Sequence, residues 1–107
     1  MTVVALYQGQ IAGFANLVAG EAYFDRLYVH HAFQRKGIGS LLAEELEQQA
    51  RRQGLSGLRV DASRTALGFF THRGYMVQQT QQVERAGQRI ENFVLYKALK
   101  AKNEDMA

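Results

Sequence analysis

The sequence predicts an α/β (α+β) fold: a mixed, mostly antiparallel twisted sheet with one central parallel strand pair and two main helices. Three observations carry this. Short apolar runs rich in β-branched residues, separated by glycine turns, stand at both ends of the chain and read as hairpins. Residues 38–54 instead repeat apolar side chains at three- and four-residue steps, the period of a helix packed on one face. Strand-like runs flank that helix, so the strands it joins run parallel through a crossover.

Each element follows in order. "TVVALY" (2–7) is a strand, "QG" (8–9) a turn and "QIAGFANLVA" (10–19) a second strand. After the "GE" turn, "AYFDRLYV" (22–29) alternates, with Phe24, Leu27 and Val29 toward the core. The alternation slips at Asp25–Arg26, which predicts a β-bulge. "HHAFQRKGIG" is a loop. In the helix, Ile38, Leu41, Leu42, Leu46 and Ala50 face inward, while Glu44, Glu45, Glu47, Gln48, Arg51 and Arg52 largely fill the other positions; Gly54 is the stop. "LRVDA" (58–62) is a short strand, and "SRTALGFFTHRGY" (63–75) a short helix capped by Ser63 or Thr65 and ended by Gly74. "YMVQQTQQVER" (75–85) and "QRIENFVLYKAL" (88–99) close the chain as two strands, and "KAKNEDMA" (100–107) is expected to fray.

Composition bounds the function. The 107 residues suffice for a single domain, 1–107, and 47 % apolar content gives it a core. No run of eighteen apolar residues exists to span a membrane. The first residues lack a signal-peptide pattern, so the expected address is the cytoplasm. The absence of cysteine excludes disulfides, thiolate metal sites and a cysteine nucleophile. The net charge of +3 is mild and its cations are scattered, which fits a solvated basic surface or an anionic ligand. No aromatic–basic motif supports nucleic acid as a partner.

The stretch "QRKGIG" (34–39) is the most informative. The first N–H groups of a helix have no intrahelical partner, and the helix dipole makes that end positive. Gly37 and Gly39 allow a backbone to approach an anion closely. Arg35 and Lys36 add charge, and Gln34 an amide donor. The pattern fits a phosphate at the helix start. It is neither a P-loop nor a dinucleotide fingerprint, since neither the Gly-Lys-Ser/Thr ending nor the third glycine is there.

The region "YFDRLYVHHAFQRKGIGSLLAEELEQQARRQG" resembles the acetyl-CoA-binding core of the GCN5-related N-acetyltransferases (GNAT family), in which a Q/R-x-x-G-x-G/A loop opens a long helix. "TALGFFTHRGY" resembles the family's A-x-x-F-[YF]-x-x-x-G-[FY] helix through Ala66, Phe69, Phe70, Gly74 and Tyr75. The resemblance covers residues 3–99. It implies an acetyl-CoA-dependent N-acetyltransferase that moves an acetyl group to a primary amine of a small molecule or protein by direct attack. An inactive module that binds coenzyme A or dimerises is the alternative.

The resemblance also assigns roles. It implies that backbone amides from Arg35 through Lys36, Gly37, Ile38 and Gly39 to Ser40, with Gln34, hold the pyrophosphate. Leu27, Tyr28 and Val29 run beside the pantetheine arm, and an N–H near Val29 polarises the thioester carbonyl. In many members a tyrosine of the second helix is the acid; Phe70 stands there and has no proton to give. Asp25 is the candidate base, with Glu21 the other nearby carboxylate and a pairing of Asp25 with Arg26 the alternative. Tyr28 offers a hydroxyl or is a half-buried core residue. Ser63 holds pantetheine or a water, or simply caps a helix. His72 and Arg73 either approach the adenosine 3′-phosphate or are solvated. His30 and His31 sit in the loop with no zinc-like carboxylate spacing, and no metal is expected. Family members usually carry one more strand and two helices ahead of the first hairpin, and this chain starts at about the second strand. The expectation is a short member, natural or a fragment, whose exposed edge near "TVVALY" pairs with a second copy as a homodimer or higher oligomer.

Overall fold

A computed structural model describes residues 1–99; the expected fraying of 100–107 lies outside them. β1 (Thr2–Tyr7) and β2 (Gln10–Val18) form the first hairpin. Its two turn residues, Gln8 and Gly9, both take positive φ, 51° and 81°, the geometry whose twist matches paired strands. β3 (Tyr23–Val29), α1 (Ile38–Arg52), β4 (Gly57–Ser63) and α2 (Arg64–His72) follow. β5 (Met76–Arg85) and β6 (Gln88–Ala98) form the last hairpin, around Ala86 and Gly87. The sheet order is β1-β2-β3-β4-β6-β5, and only β3 and β4 run parallel.

The bulge expected at Asp25–Arg26 is present. Leu17 opposes Phe24 and Asn16 opposes Arg26, so Asp25 is the extra residue on β3. The inserted residue keeps Phe24 and Leu27 on one face although three positions separate them. Phe24 is fully buried there, with Leu17, Leu46, Leu58 and Leu95. Each such side chain contributes about 1.5–3 kcal/mol through burial.

Both helices lie on that face. Phe70 of α2 meets Phe24 edge-on at 5.4 Å, and Phe24 is in register with Val60. Glu47 of α1 receives Lys97 of β6, which is in register with buried Leu58. No described helix covers the opposite face of β1–β3, where Val4, Phe14 and Tyr28 align across the strands and Leu6 opposes Ile11.

Two assignments on α1 are corrected. Leu41 is 66 % exposed, whereas Glu47 is fully buried. At about 100° per residue, Leu42, Ala43, Leu46, Glu47 and Ala50 fan out on one side of Ile38, and Leu41 falls on the other. Glu47 is tolerated because three donors reach it: Tyr75 Oη at 2.9 Å, Arg73 at 2.9 Å and Lys97 Nζ at 3.0 Å. α2 also ends at His72, short of the expected Tyr75, which is buried and points its hydroxyl at Glu47.

Candidate active site

β3 and β4 are paired only at Tyr23–Arg59 and Phe24–Val60. Beyond the bulge they part. The opening is a cleft of about 510 Å³ that takes in Asp25 and Tyr28 of β3, Asp61 and Ser63 of β4, and Phe69 and Phe70 of α2. A second cavity of about 480 Å³ lies at the start of α1, among Val29, Gln34, Arg35, Gly37, Gly39 and Ser40. Leu27 and Phe69 line both, so the two are continuous along β3.

Strand alternation decides which backbone groups face the opening. The His30 N–H donates to the Ala12 carbonyl of β2 at 2.7 Å. Peptide groups alternate sides along a strand. Those of Val29 and Leu27 therefore point the other way, into the gap toward β4. The backbone of Tyr28 points to β2, and its side chain stands half exposed against Phe14, 5.6 Å between ring centres.

The loop supplies a bare helix start. Arg35 and Gly37 both have positive φ, 65° and 76°. The first helical hydrogen bond runs from the Leu41 N–H to the Gly37 carbonyl, and no side chain caps Gly37. The amides of Ile38, Gly39 and Ser40 thus precede the ladder, and the first turn carries no acidic residue. A methyl group on Gly39 would meet Phe69 and Val29 at 3.6–3.8 Å, ordinary contact. A phosphate group fits this donor set. The Lys36 ammonium lies over the Tyr7 ring, 5.2 Å from its centre, and does not line the cavity.

The catalytic candidates separate. Asp25 lines the cleft and accepts a hydrogen bond from Asn16 Nδ2 at 3.2 Å; Glu21 does not line it. No ion pair joins Asp25 to Arg26 among the described residues. Ser63 lines the cleft and also caps α2, accepting from the Ala66 N–H at 3.3 Å. Phe70 is packed among Phe24, Phe69 and Tyr75. Arg73 is corrected: it is bound to Glu44 and Glu47 and is not free for an adenosine phosphate. His72 is exposed. His30 and His31 stack at 4.5 Å, and the His30 Nδ1 accepts the Ala32 N–H at 3.1 Å. Among the described residues no three His, Asp or Glu side chains gather to hold a metal ion, and no helix is long and apolar enough to cross a membrane.

The structure adds Asp61, Phe14 and Asn16, which the sequence did not single out because strand register alone brings them to the cleft or to Asp25. Tyr23 donates its hydroxyl to Asp61 at 3.3 Å. Burial first, and then the charge of Asp61, hold the Tyr23 phenol above its ordinary value.

A parted parallel strand pair that leads into an uncapped helix start is an arrangement with room and N–H donors for an extended, phosphate-bearing ligand. The family model described as the acetyltransferase (GNAT) domain matches residues 1–97. The chain belongs to the GCN5-related N-acetyltransferase family. It is 35 % identical over 92 residues to the uncharacterized N-acetyltransferase YafP of Escherichia coli (strain K12), covering 86 % of this chain and 57 % of that protein. A GCN5-related N-acetyltransferase structure from Rhodopseudomonas palustris, described as an aminotransferase, class-II, superposes with a TM-score of 0.85 at 37 % identity, covering 92 % of this chain and 61 % of that one. A GNAT family acetyltransferase from Elizabethkingia anophelis, with acetyl-CoA bound, shares the fold at 16 % identity and a TM-score of 0.76, covering 92 % of this chain and 75 % of that one. This chain therefore spans under two thirds of the first two relatives.

Proposed function

We propose that this chain is an acetyl-CoA-dependent N-acetyltransferase acting on a primary amine. The observation that carries the reading is the continuity of the uncapped amides of Ile38–Ser40 with the unpaired edge of β3. The bound acetyl-CoA of the Elizabethkingia relative supports the same choice of cosubstrate. The amides from Arg35 to Ser40, with Gln34 and the Arg35 guanidinium, hold the pyrophosphate; Lys36 contributes its backbone alone. Leu27 and Val29 offer backbone groups to the pantetheine arm, and Tyr28, Ser63 and Phe70 wall it. Acetyl-CoA brings an activated thioester.

The Val29 N–H polarises the thioester carbonyl. Asp25 accepts, directly or through a water, the proton that the attacking amine loses. A C–N bond forms, the C–S bond breaks, and the departing thiolate takes a proton from water, because Phe70 has none to give. Tyr28 stands beside Asp25 on the helix-free face, the side from which the amine enters. The partner in solution is a second copy of the chain, paired through β1.

Calorimetric titration with acetyl-CoA tests the binding part. Thiol release with lysine, spermidine, tyramine and a peptide with a free N-terminus tests turnover. One site per chain and thiol release with at least one amine are expected. Phe70 favours a second reading, a module that holds coenzyme A without turnover; it predicts affinity with no thiol release from any amine. Absence of saturable binding would sink both readings.

A further inference from the structure

We infer that Asn16 is a positioning residue for Asp25, and that Thr2 in turn orients Asn16. The inference rests on the reading of Asp25 as proton acceptor. Thr2 and Asn16 are directly opposed on β1 and β2, and the Thr2 hydroxyl donates to Asn16 Oδ1 at 2.8 Å. Asn16 Nδ2 then donates to Asp25 Oδ2 at 3.2 Å. The three side chains form a row across three strands that ends at the cleft.

Asp25 needs such a tether. As the extra residue of the bulge it has no cross-strand partner, and its short side chain is exposed. Bulges re-aim side chains but leave the inserted residue free of the ladder. Asn16 occupies one carboxylate oxygen and leaves Oδ1 for the amine or its water. The ionised carboxylate, which only accepts, sets the NH₂ end of the amide toward Asp25, since the reverse would place oxygen against carboxylate. The Thr2 hydroxyl, donating to Oδ1 of Asn16, holds the amide in that orientation.

The test uses steady-state kinetics with acetyl-CoA and the fastest amine of the panel above. Asn16→Ala should lower kcat about three- to tenfold, the worth of one exposed hydrogen bond, with KM for acetyl-CoA and the thermal midpoint unchanged. Thr2→Val should give a smaller fall in the same direction, and Thr2→Ser should restore the parent rate. Added to Asp25→Asn, Asn16→Ala should lower kcat no further, since it acts through a group already removed. Independent, additive losses would overturn the inference. So would a parent kcat in Asn16→Ala while Asp25→Asn is slow, and that result would leave Asp25 as the base. A parent kcat in Asp25→Asn, or a wild-type chain that releases no thiol with any amine, removes the reading of Asp25 and this inference with it.

Discussion

At the scale of single residues, the two loop glycines do different work and can be separated. Gly37 sits at φ 76° with open space where a side chain would stand. A larger residue there is strained by about 1–2 kcal/mol without clashing. Gly37→Glu adds a carboxylate beside the proposed phosphate site, so acetyl-CoA affinity should fall at least about tenfold, roughly 1.4 kcal/mol, by calorimetry. Gly39 is helical and has ordinary contact distance around it. Gly39→Ala should hold or raise the thermal midpoint, since alanine is about 1 kcal/mol better in a helix. Its methyl projects toward Phe69 and Val29, the wall of the second cavity, so weaker acetyl-CoA binding at full stability would mark that wall as ligand contact. Parent affinity in both variants would remove the loop from the binding site.

At the scale of elements, a buried carboxylate joins α1 to the end of α2 and to β6. Glu47→Ala leaves Arg73 and Lys97 without their shared partner, and a loss of about 3–5 kcal/mol in urea unfolding is expected. Two linked groups set the pH range of this joint. Burial, with the charge of Glu47, holds the Tyr75 phenol far above its ordinary value of 10.0. A raised value means stabilisation that is complete below pH 10 and is lost above it, as the folded chain resists an ionisation that the unfolded chain undergoes. Hydrogen bonds from Gln48 and then Arg73 hold Glu44 below its ordinary 4.5, so its contribution is present above that pH and is lost as pH falls further. Tyr75→Phe should flatten the alkaline limb of the stability profile; an unchanged limb would assign that limb to another group. The sequence made the eight strands and helices legible, because period-2 and period-3.6 patterns are local. It did not expose Glu47, whose partners lie 26 to 50 positions away and whose helical angle alone reads as polar. The glycine loop at 34–39 was legible for the same local reason as the helix behind it. Asn16 was not, since its approach to Asp25 depends on how β2 and β3 pair and not on any local pattern.

At the scale of the whole molecule, the sheet is covered on one face only among the described residues. Val4, Leu6, Ile11, Phe14 and Tyr28 share the other, and β1 leaves one edge without a partner strand. Apolar surface beside an unpaired edge favours association. The chain should therefore scatter light as a dimer or higher assembly at micromolar concentration, above its 12.0 kDa. Leu6→Lys places a charge on that surface at a side chain 67 % exposed, so the monomer's fold should be kept while the assembly shifts to monomer and the thermal midpoint loses its dependence on protein concentration. Tyr28 and Asp25 open the cleft onto the same face, so association through that face would be linked to the proposed turnover. Specific activity should then vary with protein concentration in the parent and not in Leu6→Lys. A parent chain that scatters as a monomer would mean that the edge does not pair, and the helix-free face would then be open in full to the amine.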